Sequence, residues 1–441
     1  MKMTWRHRRK GLQRQRGVAI ILVLGAITIL SALAVDFGLE SDIQMRLALA
    51  ERDRLQAEYL ARSGINFLRL LMVKEASLKG MITQLSGGAI DPTIPICKQF
   101  PLSTEMLRAL FGLGASGAPA EEGTPTESGE EGEAAEGRLI TAFDTAAAAE
   151  FLSFRGDFEG ECADESGKLN LNVFAQLNPL EATIGGMNRY DRAKFTLQQF
   201  LERAEVKALF GDHPEEQIAD AVRNIADWID PDDAINDRPG VQGGAEHSAY
   251  NERDTDFHIR NGKMVTLDEA YLVAGVTDEW FAPLRPYLTV YGKEKLNICL
   301  AEPAVIEALV LSYAANNDRI PPVSRENTEL IQRVLDAIAT LCAELQPSVQ
   351  TITQQVEAIL MGQAVDAETG APTGAGPTTP SATAGGTFAD WIDLAGGPYR
   401  LIGTGRVPSS GGRETVVTIE LVLDKSAQDP QQWKLLYWNM E

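Results

Sequence analysis

Residues 16–35 read RGVAIILVLGAITILSALAV, and this stretch decides how the N-terminal part of the chain is built. A charge-free run extends from Val18 to Val35. As a helix its eighteen residues would span about 27 Å, which is close to the hydrocarbon thickness of a bilayer. Residues 1–17 carry seven basic side chains and no acidic one. Since basic flanks stay in the cytoplasm, the pattern predicts a single-pass membrane protein whose bulk lies outside the cytoplasm.

The helix is predicted to continue beyond the membrane segment. Residues 40–79 contain no proline, and apolar side chains recur there at roughly helical spacing: Ile43, Leu47, Ala50, Leu55, Tyr59, Ile65, Leu68 and Leu71. Together the two parts would form one helix of about sixty residues, roughly 90 Å long. Such a helix can bundle with similar helices of neighbouring subunits while its first half lies in the bilayer.

Three interpretations of the N-terminus remain open from the residues alone. A secretory signal peptide would be cleaved near Ala34, after the small residues of the sequence Ser31–Ala34. A plain signal anchor would not be cleaved. The third interpretation depends on Gly17, which stands between the basic leader and the apolar helix.

The charge of the chain argues against nucleic acid as a partner. The 441 residues contain 40 Lys and Arg against 62 Asp and Glu, for a net charge of −22. Since the first seventeen positions carry basic residues and no acid, the net charge of the remaining residues is more negative than that of the whole chain. A surface of this sign repels phosphate backbones.

Four cysteines leave the redox state open. Cys97, Cys162, Cys299 and Cys342 show neither CxxC nor Cys–His spacing, so a zinc site is not expected. An even number suits one or two disulfides in an oxidising compartment, and three full pairings are possible. Buried free thiols are the alternative.

The remaining sequence predicts an α+β fold. Short strands flank a turn at residues 164–167, helices follow from Asp191 to Leu360, and strands return over 399–406, 414–423 and 433–438. Thr266 and Glu269 have the spacing of a helical capping box. The simplest architecture is a long helix packed on an antiparallel sheet, with a large all-α domain inserted between two of its strands.

The domain boundaries follow from this order. We expect a leader at 1–17, a membrane segment at 18–35, the rest of the long helix at 36–80, the first part of the α+β domain at 81–175, the inserted domain at 176–362, a linker at 363–386 and the last strands at 387–441. Residues 112–137 and 363–386 are rich in Gly, Ala and Pro and are predicted to be solvated loops.

The densest acidic cluster lies in a loop behind a predicted helix. Its members are Asp227, Asp230, Asp232, Asp233, Asp237 and Glu246. Calcium takes about six to eight oxygen ligands, which such a loop can supply. An EF-hand is excluded, because counting from Asp230 puts Ile235 at the sixth position and Val241 at the twelfth. The alternatives are a calcium site and a solvated acidic loop.

The N-terminal signal resembles that of type IV prepilins. Arg16-Gly17 is followed by the apolar sequence Val18-Ala19-Ile20-Ile21-Leu22. The resemblance implies that a prepilin peptidase cleaves between Gly17 and Val18 and that the new N-terminus, Val18, is methylated. The fifth mature position is usually glutamate in this family, but here it is Leu22.

Leu22 and several internal sequences are similar to the K-type minor pseudopilins of type II secretion, the general secretion pathway protein K family. The internal sequences are ADESGKLNLN at 163–172, ADWIDPD at 226–232 and LRPYLTVY at 284–291. The resemblance implies calcium binding by the acidic cluster, and a position at the tip of a periplasmic pseudopilus, anchored in the bacterial inner membrane, with no catalytic activity.

The resemblance also implies partners. These are I- and J-type minor pseudopilins, the major pseudopilin, the prepilin peptidase, the inner-membrane assembly platform, and secreted substrates or the secretin. A different hypothesis is a membrane-anchored periplasmic hydrolase that uses a metal ion in the acidic loop. Gly17 distinguishes the two, because an anchored enzyme needs no cleavage there.

Overall fold

The computed structural model describes residues 15–86, 97, 102–110, 153–182, 186–236, 243–250, 258–344, 346–363, 386–409, 412–427 and 429–441. The helices in chain order are α1 (Gln15–Ser86), α2 (Thr104–Leu110), α3 (Arg189–Leu201), α4 (Ala204–Lys207), α5 (Pro214–Ile229), α6 (Asp278–Phe281), α7 (Pro303–Ala315), α8 (Thr328–Cys342) and α9 (Val349–Leu360). The strands are β1 (Leu102–Ser103), β2 (Asp157–Asp164), β3 (Leu169–Asn170), β4 (Leu288–Thr289), β5 (Leu296–Asn297), β6 (Ile392–Asp393), β7 (Pro398–Pro408), β8 (Glu414–Asp424) and β9 (Lys434–Met440).

The predicted long N-terminal helix is confirmed and has 72 residues. Its part from Val18 to Glu75 is long and apolar enough to cross a membrane, and no part of its most apolar window is buried in the protein. The low-complexity stretch 112–137 and most of 363–386 lie outside the described residues.

The predicted α+β class is confirmed by the sheet on which α1 packs. Five strands lie in the order β1-β2-β7-β8-β9, and each neighbouring pair is antiparallel. Buried side chains of α1, among them Leu60, Ile65 and Leu68, share a core with Leu401 and Ile419 of the central strands.

Small residues let α1 approach the sheet closely. A Cβ atom on Gly403 would overlap the backbone of Ala61, and one on Gly405 would overlap the backbone of Ala57 and Ala61. Any larger residue at these positions would push the helix away from the strand, so glycine is required there.

A large inserted region leaves the sheet after β2 and returns to it at β7. It contains α3–α9 and short 3₁₀ helices, and two pairs of two-residue parallel strands, β3–β4 and β5–β6, add a small amount of sheet to a mainly helical region. Its core is separate from the first and holds the fully buried rings of Phe174, Tyr190, Phe200, Phe281 and Tyr313. Phe388 and Trp391 also pack into this core, although they follow the second low-complexity stretch.

Two disulfides pair the four cysteines. Cys97 is bonded to Cys162 of β2, and Cys299 is bonded to Cys342 at the end of α8. Of the alternatives that the sequence left open, the structure has this pairing.

The inserted region emerges at the end of the sheet farthest from the membrane segment. Near the start of β2, Gly405 of the neighbouring strand lies against Ala57 of α1. At the other end of the sheet, Lys425 pairs with Glu75 of α1 at 2.7 Å. Asp164, the last residue of β2, lies at this second end, because it pairs with Tyr399. About 85 Å of helix separates Val18 from Glu75.

Candidate metal centre

Helix α5 supplies two of the acidic side chains. It begins at Pro214. Proline is favourable in the first turn of a helix, because a backbone N–H at this position would have no partner within the helix. Asp227 lies in its last turn, and Asp230 is the residue that caps its C-terminus. The backbone N–H of Asp230 donates to the carbonyl of Ala226 at 2.9 Å, so the helical ladder fixes both carboxylates.

A small antiparallel bridge brings a third acid to the same place. Ala234 and Ala245 form the bridge, and the N–H of Ile235 donates to the carbonyl of Gly244 at 2.9 Å. The next residue, Glu246, begins a 3₁₀ helix. The bridge therefore places Glu246 against the end of α5.

The three carboxylates form a buried cluster. Oxygen atoms of Asp227, Asp230 and Glu246 lie within 4.8 Å of one another. The residues are 5%, 0% and 3% exposed, respectively. Three acids this close and this buried are costly as neighbouring anions, unless a cation lies between them.

Several oxygens of the cluster and of the neighbouring Asn236 have no hydrogen-bond donor among the described residues. Both carboxylate oxygens of Glu246, Oδ1 of Asp230 and the amide oxygen Oδ1 of Asn236 are buried without a partner among the described residues. The other oxygen of Asp230 is held in place, since it accepts from the hydroxyl of Tyr190 at 2.6 Å and from Nδ2 of Asn236 at 3.0 Å. The arrangement is thus rigid on one side and leaves acceptors free on the other.

The electrostatics show the same excess of negative charge. Burial raises the pKa of Asp227 to about 7, and the carboxylate of Asp230 contributes. Burial also raises the pKa of Asp230 to about 6. Burial, together with the charges of Asp230 and Asp227, raises the pKa of Glu246 to about 9. Lys194 is a nearby cation, but it does not offset these shifts.

The donor set fits a hard divalent cation. Three carboxylates and an amide oxygen, with neither sulfur nor imidazole in the cluster, match the oxygen ligands that calcium prefers. The four oxygens without a partner among the described residues are the atoms that would bind an ion. Water could complete the coordination.

The structure brings together three of the six acids that the sequence predicts as calcium ligands. Asp232 instead accepts the N–H of Ala234 at 2.9 Å, and the exposed Asp233 accepts from Nδ2 of Asn261 at 2.7 Å. Neither belongs to the cluster. Asp237 lies outside the described residues. Asn236 was missed by the sequence reasoning, which considered acids only, although it stands among them in the same loop.

The N-terminal residues of interest lie on α1. Gly17 and Val18 are within the helix, so the expected cleavage point falls two residues after its first described residue, Gln15. Val18 is 58% exposed and Leu22 is 69% exposed. Both apolar side chains therefore require a bilayer or other subunits around them.

Comparison with known proteins identifies relatives of the central region. Residues 167–293 match the family model of type II secretion system protein K. The type II secretion system protein K of Aeromonas hydrophila is 30% identical over 161 residues, which are 36% of this chain and 45% of the relative. The chain thus spans about half the length of the curated relative that it matches.

A solved structure also resembles the chain. It is the crystal structure of the GspK-GspI-GspJ complex from the enterotoxigenic Escherichia coli type 2 secretion system. The match has a TM-score of 0.38 and 16% identity, and it covers 65% of this chain and 80% of the other. The family model and the curated relative confirm, over the part that they cover, the predicted resemblance to protein K.

Proposed function

Since residues 167–293 match the protein K family of the type II secretion system, we propose that this chain is a minor pseudopilin. It is a non-catalytic subunit at the tip of the periplasmic pseudopilus, where it initiates assembly for protein export across the outer membrane. One observation carries this proposal. The inserted region emerges from the end of the sheet that is farthest from the membrane segment, beside the pair of Lys425 and Glu75.

This position supports a place at the tip. In a filament of parallel subunits, the next subunit would stack above the distal end of the sheet. The inserted region occupies that end and has a core of its own. A further subunit stacked at this end would therefore contact the inserted region and not an exposed helix surface.

The N-terminal helix supports the same proposal. Apolar side chains from Val18 to Leu47 are largely exposed, whereas Ala57, Ala61 and Leu68 are buried against the sheet. The first half of α1 is therefore free to lie in the bilayer before assembly and among sister helices after it. A carboxylate at position 22 would be expected to pair with the α-ammonium group of an adjacent subunit. Leu22 cannot form that pair.

The acidic cluster supports calcium as a structural ion of this subunit. Asp227, Asp230 and Glu246 would bind it, and Asn236 would add its amide oxygen. The ion would tie the end of α5 to the loop that carries Glu246. The buried position of the cluster favours this role over that of a hydrolytic centre, because a substrate would need access to the metal.

We further propose the assembly and topology that follow. The prepilin peptidase cleaves between Gly17 and Val18 and methylates Val18, and the bulk of the chain lies in the periplasm. I- and J-type minor pseudopilins form the tip complex with it. The major pseudopilin, the inner-membrane assembly platform, and secreted substrates or the secretin are its other contacts.

Two measurements on one preparation test the proposal. The mature protein is purified from cells that express the whole secretion system, its N-terminus is determined by mass spectrometry, and the co-purifying proteins are identified. We expect an N-terminus at a methylated Val18 and two smaller pseudopilins in the complex. An intact leader or cleavage near Ala34, with neither pseudopilin present, would contradict the proposal.

A further inference from the structure

A small cavity lies in the inserted region, away from the acidic cluster. Its volume is about 80 Å³, whereas a single water molecule needs about 15 Å³ on a comparable measure. Most of its wall is apolar and comes from Leu171, Val173, Phe174, Leu197, Leu296, Leu309 and Trp391. The charged residues of the wall are the cations Lys168, Arg189 and Arg192 and the acids Glu294 and Asp390. The cavity therefore combines an apolar floor with charged side chains of both signs, with one more cation than acids.

Arg192 has a ring contact but no anionic partner within the described part of the chain. The carbon of its guanidinium group lies 4.8 Å from the centre of the Trp391 ring. Among the described residues, its side chain forms no hydrogen bond and no ion pair within 4.0 Å. A half-buried guanidinium has five N–H donors and is usually paired, so this one is unusual.

The two carboxylates with the largest electrostatic effect on Arg192 are engaged with other residues. Glu294 is bound by Arg189, with Nε and Oε1 3.0 Å apart. Asp390 accepts the N–H of Thr387 at 2.8 Å and its hydroxyl at 3.2 Å, and so caps a short helical turn. Burial lowers the pKa of Arg192, and these acids do not fully compensate for it.

Trp391, which also lines the cavity, carries a buried donor for which the described residues supply no acceptor. The indole nitrogen Nε1 of Trp391 is buried and has no hydrogen-bond acceptor among the described residues. Trp391 itself is 7% exposed. A buried N–H without an acceptor costs roughly 1–3 kcal/mol and calls for a physical explanation. The residues that the structure describes thus leave the indole N–H and the guanidinium without hydrogen-bond partners, and the two side chains are in direct contact.

We propose that this cavity binds a carboxylate carried on an apolar group. The carboxylate would pair with Arg192, and the apolar group would lie against Leu171, Phe174 and Leu309. A peptide that ends in an aliphatic residue with a free carboxylate has this chemistry, and so does a small aliphatic acid. The proposal does not depend on the function proposed above, because it rests on the cavity and the unpaired donors alone.

Calorimetric titration of the full chain in dodecyl maltoside tests this proposal. The probes are the peptide acetyl-Ala-Ala-Leu with a free carboxylate, the same peptide with a C-terminal amide, and 4-methylpentanoate. We expect the free-acid peptide to bind at least tenfold more tightly than the amide. If 4-methylpentanoate binds as tightly as the peptide, the ligand class is aliphatic acids in general. If it binds much more weakly, the ligand is a peptide C-terminus.

Variants locate the binding. We expect Arg192→Ala to weaken binding of the free-acid peptide at least tenfold, and Arg192→Lys to weaken it less. Arg333→Ala is the matched control, because Arg333 is exposed and does not line the cavity. Equal affinity for acid and amide, no binding of either acid at millimolar concentration, or unchanged binding by Arg192→Ala would overturn the proposal. The comparison of acid with amide uses the unchanged chain, so it holds even if a variant misfolds.

Discussion

Glu165 and Arg400 form an ion pair where the inserted region joins the sheet, with Oε1 and Nε 3.1 Å apart. Glu165 follows β2 directly and is fully buried, and Arg400 lies on β7. Lys168 is a second cation on the same oxygen, at 2.7 Å, and Arg400 also contacts Glu420 of β8. This network connects the first residues of the inserted region to the two central strands, so it holds the inserted region in place at the distal end.

The ion pair predicts a pH-dependent contribution to stability. Burial alone would raise the pKa of Glu165, but the charges of Lys168 and Arg400 outweigh it and hold the pKa below its usual value. A carboxylate with a lowered pKa stabilises the fold above its pKa in the unfolded chain, about 4.3, and this contribution is lost as the pH falls through the folded value.

The variant Glu165→Gln measures this contribution. We expect it to lower the free energy of unfolding at pH 7 by about 1–3 kcal/mol, because Lys168 and Arg400 lose the buried carboxylate that they share. The difference from the unchanged chain should begin to shrink as the pH falls below the pKa of the unfolded chain, about 4.3, because the unfolded chain then binds a proton more readily than the folded chain does. Melting curves of both proteins between pH 3 and pH 8 give the comparison. A difference that stays constant over this range would contradict the assignment.

The close contact of α1 with β7 predicts a strong effect of added volume. Gly405→Ala places a Cβ atom against the backbone of Ala57 and Ala61, neither of which can move without shifting the helix. We expect a loss of about 1–3 kcal/mol in the free energy of unfolding. Gly211→Ala is the control, because the nearest atom to its new Cβ is 3.8 Å away. Equal melting temperatures of the two variants would show that α1 is not held as described.

The buried acidic cluster predicts calcium-dependent stability. With calcium in excess, the melting temperature should rise by several degrees, since an ion that binds only the folded state at 100 times its dissociation constant contributes about 2.7 kcal/mol. Magnesium, which requires a smaller octahedral site, should stabilise less.

Two variants separate this effect from general screening of the acidic surface. Glu246→Gln removes a buried member of the cluster and should abolish the calcium response. Asp233→Asn removes an exposed acid that bonds to Asn261 and should keep the response. If both variants respond like the unchanged chain, calcium acts elsewhere.

We expect a glutamate in place of Leu22 to cause a defect in tip-specific assembly. Leu22→Glu would supply a carboxylate that can pair with the amine of another subunit, while the inserted region would still cover the surface on which that subunit would stack, so we expect a disturbed tip complex and reduced secretion. Cleavage after Gly17 should be retained. Leu22→Ala shortens the side chain without adding an acid and serves as the control. Normal secretion and an unchanged tip complex with Leu22→Glu would show that this position has no such role.

Local patterns predicted the regular elements well. Helix α5 has the bounds Pro214–Ile229 that its periodicity indicates, and the strands at 398–408 and 414–424 lie where alternation of apolar residues places them. One local signal was wrong, because the side chain concerned makes other contacts. The capping box at Thr266 does not form, because the carboxylate of Glu269 instead accepts the N–H of Val265 at 3.1 Å and pairs with Arg260 at 2.8 Å.

The candidate metal centre was only partly predictable, because it depends on how two segments pair in the fold. The composition of the loop indicated a cation, but it could not separate Glu246 from Asp233. That separation depends on the bridge between Ala234 and Ala245, which turns one acid inward and leaves the other in solvent. The disulfide pairing likewise depends on which segments meet in the fold.

The position of this chain in the assembled pseudopilus is the most direct test of the account. Pseudopili sheared from cells can be labelled with gold-conjugated antibodies against the inserted region and imaged by electron microscopy. The account predicts label at a single end of each filament, because the inserted region covers the surface on which another subunit would stack. Label distributed along the shaft, with subunits on both sides of it, would contradict the account.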